Sequence, residues 1–351
     1  MAGAYLGIDI GTTSIKAVEV RGGKNKPCVT NYGLLESSGY LARANQALQT
    51  SGLKLFESGT ADLLTTLIGQ MGTKTTDAVA SLAPFSVFSV ALDFPRMEPK
   101  EITQAMTYQA KQYVPQPLAE VALDWLKVAE FTDDRGVYHQ KVLLVAVPKE
   151  QIQKYQRVFR TAGLTLRALE IESLSIARIF GDDPTPTVVV DIGSRSTNIV
   201  FLEGGVFLWS AQSDFASASL TQALAESLSI NPLRAEELKK ERGIAGTGPS
   251  RELSTIILPI VDAIINEVKK AQYTFAEQFP SAKKAERMLL SGGGANLLGI
   301  EPYFEREFGT PVFKAAPFNR FEYDSAIAPL AAELNPMMSV ALGLGIKEFL
   351  K

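Results

Sequence analysis

Two aspartates, Asp9 and Asp191, each stand near the end of a short apolar run and just ahead of a glycine and a set of hydroxyl side chains. The first stretch reads Gly7-Ile8-Asp9-Ile10-Gly11-Thr12-Thr13-Ser14. The second, half a chain later, reads Val190-Asp191-Ile192-Gly193-Ser194-Arg195-Ser196-Thr197. Glycine lets a backbone bend and approach a ligand closely, and successive N–H groups in a turn make an anion-binding concavity. A carboxylate beside such a turn suits Mg²⁺, which keeps several waters and needs only one or two carboxylates. One copy is the ordinary end of a structural hairpin; two copies facing each other would clamp a nucleotide polyphosphate from both sides. A third stretch, Leu289-Leu290-Ser291-Gly292-Gly293-Gly294-Ala295-Asn296, runs from an apolar strand through three glycines into a helix expected over 297–308. There, glycine would let a turn and a helix N-terminus lie flat against a base or ribose.

The elements that must position these groups can be read from periodicity. An apolar run follows each aspartate turn, at 15–20 and 198–202, so both units read as β-hairpins. Between them the pattern is strand (86–92), helix (102–113), strand (121–130), strand (141–147) and helix (151–162), a small α+β unit. A return helix is expected near 171–180, and Asp182-Asp183-Pro184-Thr185-Pro186 forms a rigid turn at a lobe boundary. In the second half, 233–242 reads as a charged helix, 243–249 as a glycine-rich loop and 256–278 as a long helix. On that helix Glu267, Lys270 and Tyr273 recur at spacing three and share a face. They read equally as ligand contacts or as a solvated ion-pairing face with Lys269 and Glu277. Residues 33–59 read as strand, loop and a short amphipathic segment. The final helix, 337–350, reads as buried, with Gly343 and Gly345 permitting close packing.

Composition narrows the function classes. A chain of 351 residues suggests about two domains. Hydrophobic residues at 46% and charged residues at 21% are ordinary for a globular chain. The net charge of −3, with dispersed Lys and Arg, gives no basic stripe for nucleic acid. The single Cys28 rules out an intramolecular disulfide and is read as a small strand-packing residue in a reducing, cytoplasmic setting. The one histidine, His139, rules out a paired-histidine metal site; it is read as solvent-exposed in a turn over 133–140. No signal sequence is expected, and no apolar run reaches the ~20 residues of a membrane span, so no direct membrane insertion is expected.

The two aspartate turns and the glycine connection resemble the phosphate-1, phosphate-2 and adenosine loops of the actin-like ATPase superfamily, which includes actin and sugar kinases. Within it, Phe94-Pro95-Arg96-Met97 with Glu101 through Trp125, Val147-Pro148-Lys149 through Arg178, and Pro317-Phe318 resemble the PilM family of type IV pilus assembly, in its FtsA-like branch. The resemblance implies an α/β, actin-like (ribonuclease H-like) two-lobe fold. The first lobe would take 1–82, 170–186 and 320–351, with an inserted subdomain (called 1C in the family) at 83–169 and a second lobe at 187–319. It implies ATP and Mg²⁺ as ligands. The nucleotide would be held by Asp9, Gly11, Thr12, Thr13, Ser14 and Lys16 from one side. Asp191, Gly193, Ser194, Arg195, Ser196, Thr197 and Ala216 would hold it from the other. Gly292, Gly293, Gly294 and Asn296 would lie near the adenosine, with Glu267 near the ribose and Lys270 near the adenine. Asp9 and Asp191 would hold the metal, through water. Gln151 and Gln153 are candidates to position an attacking water, which phosphoryl transfer requires.

The family usually carries Gly-Gly where this chain has Ala216-Ser217. If that turn were left-handed, each replacement would cost ~1 kcal/mol or more. By the same resemblance the partner is the cytoplasmic N-terminal peptide of a PilN-like single-pass inner-membrane protein, with other pilus platform proteins and ATPases as further partners. Nucleotide would be mainly structural, with slow or no hydrolysis. An FtsA-like polymerising protein and a small-molecule kinase are the alternatives.

Overall fold

In the computed structural model, which describes residues 3–36, 54–132, 136–244, 250–325 and 327–350, one strand pattern occurs twice. β1 (Ala4–Ile10), β2 (Ser14–Arg21) and β3 (Cys28–Glu36) form an antiparallel meander, and β4 (Asp77–Leu82) joins β1 in parallel. β8 (Thr165–Ile171) then joins β4 in parallel, and the short β14 (Glu322–Tyr323) caps β3. The order is β14-β3-β2-β1-β4-β8. The second sheet repeats it. β9 (Thr187–Ile192), β10 (Thr197–Glu203) and β11 (Val206–Ser213) form the meander, and β12 (Arg287–Ser291) and β13 (Val312–Lys314) follow in parallel. Every residue of β9 is buried, as expected for a strand covered on both faces, and its Val-Val-Val run supplies apolar side chains to both.

Helices cover each sheet on both sides. On the first, α1 (Lys54–Met71) and α3 (Lys149–Thr161) pack Leu64, Tyr155, Val158 and Phe159 against Leu6, Ile8 and Ala80. The opposite face carries α4 (Glu172–Phe180) and, after α9 (Ala331–Met337), α10 (Ser339–Gly345). A Cβ on Gly343 would lie 2.1 Å from the Ser175 carbonyl, so α10 and α4 cross backbone to backbone. The second lobe is built on α7 (Ser250–Gln278), which buries Ile257, Val261, Ile264 and Val268, with α5 (Ser217–Leu228), α6 (Pro232–Arg242) and α8 (Ile300–Phe308) around it.

The insertion is a three-stranded sheet, β5 (Phe88–Pro95), β7 (Tyr138–Pro148) and β6 (Val121–Thr132) in that spatial order, under α2 (Pro99–Tyr113). Glu98 and Glu101 form a capping box and Pro99 takes the first turn of α2, which is why the helix starts ahead of its first buried residue, Ile102. The inserted body is shorter than expected. Its boundary falls at Pro148 rather than 169, because α3 buries its apolar face in the first-lobe core and β8 extends the first-lobe sheet. A third apolar cluster joins all three bodies: Val128 and Leu143 of the insertion meet Ile171 and Ile176 of the first lobe and Val189, Val200 and Phe207 of the second.

Other boundaries differ for local reasons. The 297–308 helix starts at Ile300, because Gly299 sits at φ +87° after a 3₁₀ turn. The terminal helix expected over 337–350 is split at Met338, which separates α9 from α10, and it ends in a 3₁₀ turn. The long helix begins at Ser250 and accommodates Pro259. His139 lies in β7, half-buried and stacked on Phe131 at 5.2 Å, rather than in an exposed turn. Most of the 243–249 loop and residues 37–53 of the 33–59 stretch lie outside the described residues. Among the described residues, no helix is long and apolar enough to cross a membrane.

Candidate functional site

The two aspartate turns have one geometry. The Gly11 N–H donates to the Ser14 carbonyl at 2.9 Å, and the Gly193 N–H donates to the Ser196 carbonyl at 3.0 Å. A Cβ would sit 3.0 Å from that carbonyl at Gly11 and 2.8 Å at Gly193, so each turn closes around its glycine. Thr12, Thr13, Ser14, Ser194 and Ser196 line the turns half-buried, while Thr197 is buried and donates to the Phe215 carbonyl. The N–H groups of Ser217 and Ala218 at the start of α5 donate to the Gly193 and Ser194 carbonyls. Ala216 is extended, at φ −154°. This position does not need a left-handed residue, and the penalty anticipated for replacing glycine does not arise.

The carboxylates differ in how far they are satisfied. Asp9 is fully engaged: Ser81 Oγ donates to Oδ1 at 2.9 Å and Lys16 Nζ donates to Oδ2 at 3.0 Å. Burial opposes the charge on Lys16, but the attraction of Asp9 and Asp191 outweighs it and holds the ammonium above its usual pKa. Asp191 is pushed up to about 6, first by burial; the Ser291 hydroxyl and Lys16 pull the other way, and Asp9 adds to the rise. The strand registers place Lys16 opposite Asp9 and Asn198 opposite Asp191. Where the first turn has its own cation, the second has a neutral amide. Asn198 is buried, and its Nδ2 has no hydrogen-bond partner among the described residues.

Sequence reasoning missed the third carboxylate. Glu172, the first residue of α4, is raised well above its ordinary value by burial and by Asp9 and Asp191, with Lys16 opposing. Its signal was a carboxylate directly after the β8 strand, on the same lobe as Asp9. Gln151 and Gln153 instead start α3, which covers the opposite face of the first sheet from α4. The α3 side chain that feels the carboxylates is Tyr155, whose hydroxyl is raised by burial and then by Glu172 and Asp9.

The glycine connection is used mainly for close approach within the protein. A Cβ on Gly292 would lie 2.4 Å from the Ile192 carbonyl, and one on Gly294 would lie 2.3 Å from the Ile192 side chain; Gly293 faces open space. Asn296 Nδ2 donates to the Glu333 carbonyl. Glu267 and Lys270 form an ion pair at 3.7 Å, with Lys270 largely in solvent, and Tyr273 is exposed. A second pair at the same spacing is buried and was not singled out by sequence. Lys239 Nζ donates to Glu236 Oε2 at 2.6 Å, Ser217 Oγ at 2.7 Å and Thr221 Oγ1 at 2.9 Å, directly behind the second turn. Burial pulls the Lys239 pKa down against the attraction of Glu236. Arg195 reaches out of the second turn and places its guanidinium 5.5 Å from the centre of the Phe85 ring, at the start of the insertion.

A groove of about 740 Å³ lies on the other side of α4. β6 and β8, each the edge strand of its sheet, line it together with the tip of the β10–β11 hairpin. Glu170, which also borders the groove, binds Arg178 through both carboxylate oxygens at 2.6 Å and accepts from Lys347 at 2.6 Å and Ser175 at 2.8 Å.

Two sheets of one topology, each ending its first strand in an aspartate–glycine turn, define an actin-like two-lobe fold. The chain belongs to the family described as "Type IV pilus assembly protein PilM", whose sequence profile matches residues 7–349. Among solved structures it is similar to a PilM-PilN type IV pilus biogenesis complex, with a TM-score of 0.82 and 24% identity over 99% of both chains. It shares the fold with the ethanolamine utilization protein EutJ from Carboxydothermus hydrogenoformans, with a TM-score of 0.56 and 18% identity over 99% of this chain and 90% of that one. MreB 5 of Spiroplasma citri bound to AMPPNP gives 0.55 and 13%, over 99% and 96%.

Proposed function

We propose that the protein is an ATP-binding adaptor on the cytoplasmic face of the type IV pilus inner-membrane platform, where it receives the N-terminal peptide of a PilN-like membrane protein. Membership of the pilus family supports the setting. The observation that carries the binding mode is the groove between two unpaired strand edges, β6 and β8. An extended peptide can pair with such an edge through its main chain and place alternate side chains in apolar pockets. Leu123, Val145, Leu166 and Leu174 supply apolar wall, and the Glu170–Arg178–Lys347 cluster supplies polar groups for orientation.

The residues at the twin turns fit a polyphosphate and its cation. Asp191 is a buried carboxylate with Asn198, not a lysine, opposite it, and Asn198 holds a buried donor with no acceptor among the described residues. Among the described residues no three of His, Cys, Asp and Glu group into a direct ligand cage, and Asp9 already has both oxygens occupied, so the chain offers a cation carboxylates to reach through water. When bound, the cation would neutralise Asp191 and polarise the phosphates. The turn N–H groups and hydroxyls bind the phosphates, Lys16 moves its charge between Asp9 and a phosphate oxygen, and Glu172 holds a water or a proton at the first-lobe side. With one such carboxyl and no other positioned base among the described residues, turnover is slow and the nucleotide acts chiefly by fixing the two lobes.

The test is a fluorescence-anisotropy titration with the labelled N-terminal peptide of the cognate PilN-like protein, using wild type and Leu126→Asp. Leu126 is an exposed apolar side chain in the groove, 42% accessible, so its replacement spares the core. Saturable micromolar-or-tighter binding by wild type, at least tenfold weaker in Leu126→Asp, is the expected result. A peptide that fails to bind wild type would falsify the adaptor reading.

A further inference from the structure

The groove is walled by three bodies rather than two. Trp125 and Leu126 come from the insertion, Leu166 and Leu174 from the first lobe, and Val206 and Phe207 from the tip of the second-lobe hairpin. The same helix serves both sites. α4 begins at Glu172, among the carboxylates of the twin turns, and then presents Leu174, Ala177 and Arg178 to the groove. At nine residues it is roughly 13 Å long.

α4 is anchored to the first lobe as a unit. Ile176 and Ile179 are fully buried, Ser175 and Arg178 tie it to Glu170, and Arg178 also donates to the Gly343 carbonyl at 2.9 Å. Ile176 and Ala177 pack on Val200 and Phe207 of the second lobe, and just past the C-terminal end of α4 the two lobes touch backbone to backbone. Gly204 and Gly205, both at positive φ, form the hairpin tip, and a Cβ on Gly205 would lie 2.0 Å from the Gly181 carbonyl just past α4. A Cβ on Gly181 would lie 2.9 Å from the Gly205 carbonyl. Two glycines therefore make a backbone-on-backbone bearing between the lobes, beside the linker that carries the chain from α4 to β9.

We infer that the nucleotide site and the peptide groove are one coupled device, with α4 as the shared lever and Gly181–Gly205 as its bearing. This rests on the nucleotide-and-peptide reading above. A ligand clamped between the twin turns sets the angle between lobes, and the hairpin tip moves with the second lobe. The third wall of the groove is thereby set as well. A clamped nucleotide fixes all three walls in one arrangement and removes that ordering cost from peptide binding, so it tightens the peptide. Linkage requires the peptide to tighten the nucleotide by the same factor.

The experiment uses the full chain, the labelled partner peptide and Mg-AMP-PNP. Peptide affinity is measured with and without saturating nucleotide, and nucleotide affinity with and without saturating peptide. A gain of at least about fivefold, the lower end of allosteric coupling, is expected in both directions. In Gly181→Ala the added methyl displaces the hairpin tip; both ligands should still bind, with the gain falling below about twofold. As a readout independent of affinity, Val206→Cys labelled with bimane in a Cys28→Ser background should shift its emission on adding Mg-AMP-PNP alone. If wild type binds both ligands with affinities indifferent to each other, the coupling is refuted and the adaptor reading stands. A Gly181→Ala protein with undiminished coupling overturns the bearing. Absence of peptide binding in either state overturns the adaptor reading and the coupling with it.

Discussion

Asp191→Asn should make the unliganded protein more stable at neutral pH while removing its grip on a nucleotide-bound cation. In the folded chain this carboxyl is pushed up to about 6, against an ordinary value of 3.8, chiefly by burial. That difference of about two pH units corresponds to an upper limit of about 3 kcal/mol, at 1.36 kcal/mol per unit. The sign follows from which state holds the proton. Between pH 4 and 6 the folded state keeps a proton that the unfolded state has lost, so this group's contribution is full below pH 4 and is lost as pH rises through 6. Asparagine has no charge to bury and escapes the loss. Thermal melts at pH 4.5 and 7.5, with and without Mg-ATP, measure it. Without ligand the variant should melt above wild type at pH 7.5, with the gap closing toward pH 4.5. With Mg-ATP only wild type should gain, because only a ligand bound to the folded state raises its stability. An Asp191→Asn protein that melts below wild type at pH 7.5 without nucleotide would show that the charge is already compensated, and the cation-site argument would fail.

The other expectations share this logic. Asn198→Leu removes a buried donor with no partner among the described residues; it should stabilise the unliganded chain by about 1–3 kcal/mol and weaken nucleotide binding, and a destabilised variant would show that the amide is satisfied. Glu170→Gln strips the charge from a carboxylate held by Arg178 and Lys347, which should cost about 3–5 kcal/mol. Because those two cations, with burial opposing, hold the Glu170 carboxyl below its ordinary 4.5, wild-type stability should also fall as pH drops below 4.5 through that lowered pKa; equal acid sensitivity in Glu170→Gln would contradict this. Gly343→Ala puts a methyl 2.1 Å from the Ser175 carbonyl and should lower stability by at least about 1–3 kcal/mol, and a melting point unchanged from wild type would mean that α10 slides freely over α4.

The geometry of the two aspartate turns could be read from the chain because it is local. An aspartate, a glycine two residues on and a run of hydroxyls specify a turn whatever surrounds it, and the paired registers Asp9–Lys16 and Asp191–Asn198 follow from hairpins closed over a few residues. The duplicated sheet was legible for the same reason: strands buried on both faces leave unbroken apolar runs such as Val188-Val189-Val190. What sequence spacing could not supply were contacts made across the fold. Glu267–Lys270 and Glu236–Lys239 have the same spacing, and only packing of α6 behind the second turn buries one pair and leaves the other in water. Glu172 gains its raised pKa from burial and then from Asp9 and Asp191, brought to it from two different sheets. The insertion ended earlier than its pattern suggested, because whether α3 and β8 belong to it depends on which core receives Phe159 and which strand pairs with β8. Backbone turns and strand burial are set by neighbours in sequence. Burial of a charge, the angle between lobes and the walls of a groove depend on residues far apart in the chain, whose meeting the tertiary structure alone decides.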